Sequence, residues 1–199
     1  MDRFQAFAHP WWVNLLIIVP GAAYFFWRRK GLQFAWRHVL MITVFAVAFG
    51  FVEASVVVYL RAAAGLLPGY QSGSLSDVRR LSASYQQADP GNQFPQVLMR
   101  FEVLREAATM VVLVSVAILA ASRVRERMAF FLWAFAAWEI SYYASLWATV
   151  RWPPSLKELD VLFLIPVPWV AQVWYPLLVS SLTLLAVALA RAKPGALDG

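Results

Sequence analysis

The stretch Val39–Leu60, VLMITVFAVAFGFVEASVVVYL, decides the fold class. It is close to the ~20 residues that a helix needs to cross the hydrocarbon core of a bilayer, and its one charged residue is Glu53. Ala46, Gly50 and Ala54 recur at four-residue spacing and form a small-residue ridge, which lets another helix approach closely. The stretch therefore predicts a membrane-spanning helix that packs against a neighbour.

The composition of the whole chain agrees with a lipid environment. Hydrophobic residues make up 61% of its 199 residues and charged residues 14%, against about 25% charged in soluble domains. A globule of this size cannot bury so much apolar surface, so a bilayer must cover the excess. We therefore predict an all-α fold, a polytopic transmembrane helix bundle.

Several classes of functional site are excluded or disfavoured by residue usage. The chain has no cysteine, which excludes iron–sulfur clusters, thiolate zinc sites and Cys nucleophiles. Its two histidines, His9 and His38, fall at opposite predicted membrane faces, which disfavours a bis-His haem. It also lacks a phosphate-binding glycine loop, a GxSxG elbow and an HExxH motif. No cofactor is predicted, and an enzyme is the least favoured class.

Apolar runs separated by basic or proline-rich breaks predict five spans. A signal peptide is the alternative for the first run, but its basic cluster follows the apolar residues instead of preceding them. The run at 161–171 is too short to span and contains two prolines, so we predict a re-entrant or interfacial segment there. The predicted spans are 11–27, 39–60, 101–121, 128–149 and 172–190, with an outer loop at 61–100 that includes a surface helix at Leu75–Tyr85.

The distribution of basic residues predicts the orientation. They are densest in the short loops after spans one and three and just behind span five. Short loops rich in Arg and Lys stay on the cytoplasmic side of a membrane. We therefore expect the amino terminus outside and the carboxyl terminus in the cytoplasm. The net charge of +6 then reflects topology and not a nucleic-acid surface.

This topology gathers polar residues in the outer half of the bundle. Glu53, Glu106 and Glu139 belong to three different spans and lie at comparable depth. An ionised side chain there costs roughly 2.5–3.5 kcal/mol, so it should face the bundle interior or a water-filled cavity and mark a functional site. Helical spacing and depth define the following candidates: Glu53, Glu102, Arg105, Glu106, Glu139, Tyr142, Tyr143 and Asp160.

Two interpretations of these candidates remain open. In the first, they bind a proton, a cation, a polar headgroup or a quinone, and a carboxylate-only metal site would favour Mg, Ca or Mn over Zn or Cu. In the second, Arg105 pairs with Glu53 or Glu139, and the network only fixes helix register. The second interpretation suits an accessory or assembly subunit of a larger membrane complex.

Two stretches carry a family resemblance: FEVLREAAT at 101–109 and WPPSLKELDVLFLIPVPW at 152–169. They resemble uncharacterised multi-pass inner-membrane proteins of bacteria. The resemblance implies a location in the bacterial inner membrane, and it implies no activity. The partners expected are the lipid bilayer and, under the second interpretation, other membrane subunits.

Overall fold

The computed structural model describes residues 4–29, 31–63 and 96–191, which form a mainly helical chain. Most of the predicted outer loop, with its surface helix at Leu75–Tyr85, lies outside the described residues. A 3₁₀ helix, Trp11–Ile17, leads into the first α-helix. The elements are α1 (Ile18–Trp27), α2 (Trp36–Ala63), α3 (Gln96–Ala120), α4 (Val124–Val150), β1 (Leu159–Phe163), β2 (Trp169–Gln172) and α5 (Trp174–Leu189).

The central helix of the bundle is α4. It packs against α2, α3 and α5, while α1 packs on α5. Small side chains such as Ala134 and Ala137 let its neighbours approach, and Phe130 and Trp138 fill the space between them. The helix ends at Val150, and the next residue, Arg151, adopts a left-handed conformation with φ 57° shortly before two prolines. Polar residues on the inward face of α4 therefore lie near the middle of the fold.

The small-residue ridge of α2 forms the contact with α4, as the sequence predicts. Ala46 and Ala54 are buried, and the Ser141 hydroxyl donates a hydrogen bond of 3.2 Å to the Ala46 carbonyl oxygen. The approach is closest at Gly50. A Cβ added there would lie 2.9 Å from the Trp138 carbonyl oxygen and would collide with the Ser141 hydroxyl. Only a residue without a side chain fits this helix crossing.

The all-α prediction is wrong at 159–172, where the chain forms an antiparallel β-hairpin. Val161 pairs with Val170, and Phe163 pairs with Trp169 after a bulge. β-branched and aromatic residues of this kind pack well on a pleated surface. The prolines at 166 and 168 lie in the turn between the strands, where their lack of an N–H removes no hydrogen bond between the strands. The segment predicted to be re-entrant or interfacial is therefore part of a β-hairpin.

The hairpin is tied to the amino-terminal segment and to α5. His9 and Val170 exchange two backbone hydrogen bonds, of 2.8 and 2.7 Å, so the amino-terminal segment covers the outer edge of β2. At the other end of β2, the Val173 N–H donates to the Glu158 carbonyl oxygen over 2.9 Å. Backbone groups away from water need such partners, because each unsatisfied one costs free energy.

Two helical segments among the described residues are long and apolar enough to cross a membrane: Trp36–Tyr59 and Arg100–Ala120. The apolar helices Trp11–Trp27 and Trp174–Leu189 are shorter. Helix length and composition therefore do not support the predicted count of five spans.

The arginine-rich loops meet at the end of the bundle opposite the hairpin. Arg125 donates to the Gly31 carbonyl oxygen over 2.9 Å, and Arg191 donates to the Phe34 carbonyl oxygen over 3.3 Å. The loop turns at Gly31, whose φ of 62° favours glycine. Arg123 contacts the Gln33 side chain over 2.9 Å. We call the surface formed by residues 28–29, 31–37, 121–127 and 191 the basic end.

Candidate functional site

The predicted candidates lie toward the hairpin end of the bundle, and the structure divides them into two groups. The first, between α2 and α3, contains Glu53, Glu102 and Arg105. The second, between α4 and β1, contains Glu139, Tyr143 and Asp160. The two remaining candidates, Glu106 and Tyr142, lie between the groups.

The first group is an ion-pair network. Arg105 forms ion pairs with both Glu53 and Glu102, and its Nε lies 3.1 Å from Glu102 Oε2. The Thr109 hydroxyl donates a hydrogen bond of 3.0 Å to Glu53 Oε1. Glu53 is 4% exposed, so its carboxylate is buried with a cation and a hydroxyl as partners. Of the two partners that the sequence allowed for Arg105, the structure selects Glu53.

The polar residues of α3 share its inward face, as their spacing predicts. Glu106 and Thr109 are buried, and Arg105 is half-buried. Leu104 and Val111 point outward and are exposed. The i, i+3, i+4 pattern of a helix accounts for this division.

Glu106 connects α3 to the β-hairpin. Its Oε2 accepts a hydrogen bond of 2.8 Å from the Leu164 backbone N–H, at the end of β1. Sequence reasoning missed this partner, because a backbone donor leaves no trace in the spacing of side chains. The prolines at 166 and 168 were the available signal, since they mark a turn that can leave a neighbouring N–H unpaired.

The second group contains two carboxylates. Asp160 accepts hydrogen bonds from the Tyr143 hydroxyl, over 2.8 Å, and from the Val161 N–H, over 2.9 Å. Glu139 is 8% exposed and lies close enough to Asp160 for the two charges to interact. Within the described parts of the chain, no hydrogen bond or ion pair reaches the Glu139 carboxylate. A buried carboxylate without a hydrogen-bond or ion-pair partner among the described residues thus lies near a second carboxylate.

Tyr142 links the two groups through aromatic and electrostatic contacts. Its ring lies 6.2 Å from that of Trp138 and 5.2 Å from that of Tyr143, measured between centroids. It is also close enough to Arg105 to interact with the guanidinium charge. The candidates therefore form one continuous polar layer, although the carboxylates do not converge on one point. In residues 4–29, 31–63 and 96–191, no group of three or more acidic or histidine side chains is placed to hold a metal ion.

No protein-family model, curated protein or solved structure matches the chain. A function for the chain must therefore be inferred from its own sequence and structure.

Proposed function

We propose that the chain is a multi-pass protein of a bacterial inner membrane, and that its Glu139–Asp160 pair holds an exchangeable proton beneath the β-hairpin. The proposal rests on the Glu139 carboxylate, which is buried beside Asp160 and has no partner among the described residues. Two ionised carboxylates so placed repel each other, and burial adds a desolvation cost to each. One proton on the pair removes most of both costs.

The hydrogen bonds of the pair support Glu139 as the proton carrier. Asp160 accepts hydrogen bonds from the Tyr143 hydroxyl and the Val161 N–H, and such bonds favour a charged carboxylate. Glu139 accepts none from the described residues, so its neutral form is favoured. A proton also needs no further ligands, whereas a magnesium or calcium ion takes six or more oxygen ligands.

Exposed apolar surface supports the placement in a membrane. Only 33% of the most apolar stretch of α2 and 22% of that of α3 are buried inside the chain, which is unlike the core helices of a soluble globule. Leu119 of α3, for example, is 86% exposed. Neither helix is at the amino terminus, where a signal sequence would lie. A lipid environment accounts for both helices.

A count of five crossings remains part of the proposal. Helix α4 has 27 residues and is about 40 Å long, which exceeds the ~30 Å hydrocarbon core. Helix α5 has 16 residues and is about 24 Å long, so it falls short by itself. The hairpin directly precedes the amino-terminal end of α5 and extends the crossing. Backbone groups of the hairpin are hydrogen-bonded by His9 and Glu106.

The orientation can be tested by labelling cysteines, because the wild-type chain has none. Ser155, beside the hairpin, and Ser122, at the basic end, are both exposed. We expect a membrane-impermeant maleimide to label Ser155→Cys in intact cells, and Ser122→Cys only after the inner membrane is permeabilised. Equal labelling of the two variants in intact cells would contradict a crossing by α4, which separates the two residues, and the reverse pattern would contradict the orientation.

The proton on Glu139 can be detected by infrared difference spectroscopy of the reconstituted chain during a pH titration. We expect a carbonyl stretching band of a protonated carboxyl group that is missing in Glu139→Gln. Glu102→Gln is the matched control, because Glu102 is ion-paired with Arg105. It should retain the band. A band that persists in Glu139→Gln, or that disappears in Glu102→Gln, would contradict the assignment of the proton to Glu139.

An accessory or assembly subunit of a larger membrane complex is the second candidate function. The Glu53–Arg105–Glu102 network favours it, because Arg105 binds both carboxylates within the chain, as a purely structural network would. The low burial of α3 also leaves a face for a partner helix. The infrared measurement separates the two candidates, since a polar network that only sets packing carries no exchangeable proton.

A further inference from the structure

The basic end carries a large surplus of positive charge. Its single described acid is Glu126, which is buried at 8% exposure and lies 3.9 Å from Arg123. The remaining positive charge has no acidic partner among the described residues of this end. The arginines located there are Arg28, Arg29, Arg37, Arg123, Arg125, Arg127 and Arg191.

The arrangement of these arginines leaves hydrogen-bond donors free for a ligand. Arg125 and Arg191 each use one donor on a backbone carbonyl of the loop 31–34, and Arg123 uses one on Gln33. A guanidinium has five N–H donors in a fixed fork that matches phosphate oxygens. The Arg123 side chain is also 70% exposed. The loop contacts therefore position the guanidinium groups without using all of their N–H donors.

Apolar side chains continue directly from this charged surface onto the sides of the bundle. Phe25 and Phe26 are 61% and 66% exposed just before Arg28, and the Arg28 guanidinium lies 4.5 Å from the Phe25 ring centroid. Trp36 is 56% exposed under the Arg191 guanidinium, which lies 4.6 Å from its ring centroid. A ligand that fits both surfaces has an anionic group joined to a hydrocarbon chain.

We propose that the basic end binds the phosphate headgroups of anionic phospholipids in the adjoining leaflet, with the acyl chains against the exposed aromatic rings. This inference rests on the membrane placement proposed above and is independent of the Glu139–Asp160 pair. Basic clusters next to membrane helices attract anionic lipids, and each Arg near the surface contributes to the affinity. The apolar margin around the arginines favours a lipid over a nucleic acid or an acidic protein, which offer charge without acyl chains.

The test is lipid binding to the full-length chain, purified in detergent and stripped of lipid, followed by native mass spectrometry. Phosphatidylglycerol and phosphatidylcholine with the same acyl chains are titrated in parallel. We expect the wild type to retain phosphatidylglycerol preferentially. The double variant Arg123→Gln/Arg125→Gln should weaken that binding about 30-fold, at about 1 kcal/mol for each arginine.

Two further variants keep the test decisive, because Arg125 also contacts the loop backbone. Arg28→Gln/Arg29→Gln changes exposed arginines and should weaken binding to a similar extent. Arg100→Gln changes an exposed arginine on α3, away from the basic end, and should bind phosphatidylglycerol as the wild type does. An equal loss in Arg100→Gln would overturn the assigned location.

The remaining outcomes separate this inference from the proposed function. Equal retention of the two lipids by a chain that inserts into vesicles would overturn the lipid inference alone. A chain that enters vesicles of neither lipid would overturn the membrane placement, and the proposed function with it. Excess inorganic phosphate should not displace the lipid, and displacement would overturn the requirement for an acyl chain.

Discussion

Replacing Arg105 with glutamine is expected to lower the free energy of unfolding by about 3–5 kcal/mol. The substitution leaves the buried carboxylate of Glu53 without its cation, and removing one partner of a buried ion pair typically costs that much. Thr109 retains its hydrogen bond to Glu53, but a neutral hydroxyl does not compensate a full charge. Chemical denaturation of the chain in detergent micelles, followed by circular dichroism, measures the loss.

The double variant Glu53→Gln/Arg105→Gln is the matched control, because it removes both members of the pair. It should recover much of the stability, which gives a large coupling energy in a double-mutant cycle. Glu102→Gln should cost less than Arg105→Gln, since the Glu102 side chain is 22% exposed and its charge is partly solvated. An Arg105→Gln variant as stable as Glu102→Gln would show that the network does not stabilise the fold.

Replacing Gly50 with alanine should cost about 2 kcal/mol by forcing α2 and α4 apart. The new Cβ would lie 2.9 Å from the Trp138 carbonyl oxygen and 3.0 Å from the Tyr142 nitrogen, so the obstacle is backbone that cannot rotate away. Overpacking a tight contact costs typically 1–3 kcal/mol, and the better helix propensity of alanine returns about 0.5–1 kcal/mol. Thermal unfolding in micelles reports the difference.

Gly21→Ala provides the control for the Gly50 prediction. No atom lies within 4 Å of a Cβ at Gly21, so that variant should be as stable as the wild type or more stable. Adding Ser141→Ala to Gly50→Ala removes the hydroxyl from the contact and leaves the two backbone obstacles, so it should restore part of the loss. If Gly50→Ala and Gly21→Ala unfold alike, the close helix crossing is wrong.

The helices and the helix crossing were predictable because they depend on local patterns. Long apolar runs with basic or proline-rich ends indicate helices, and small residues at four-residue spacing mark a face that packs closely. The structure confirms this ridge at Ala46, Gly50 and Ala54. The hairpin was not predictable in the same way. The hydrophobic periodicity of a short apolar run such as 161–171 does not distinguish a strand from another buried segment. The pairing of the two strands also depends on residues on both sides of the turn.

The shared face of the polar residues on α3 was also predictable, whereas their pairing was not. Helical spacing placed Glu102, Arg105 and Glu106 on one face of α3, and the structure confirms that face as the inward one. The sequence left both Glu53 and Glu139 as partners for Arg105. Which of the two pairs with Arg105 depends on how α2, α3 and α4 cross and rotate. That arrangement is set by packing between residues far apart in the chain.

Taken by itself, the sequence determined the helical elements, the small-residue ridge of α2, the clustering of arginines in loops and the identity of the polar residues in the apolar runs. These follow from composition and from period, which are properties of neighbouring residues. Tertiary structure alone decided that Arg105 pairs with Glu53, that Glu106 accepts a hydrogen bond from the Leu164 N–H and that Glu139 lies near Asp160. The partner of a buried charge is selected by three-dimensional packing, because an ion pair or hydrogen bond requires contact within a few ångströms.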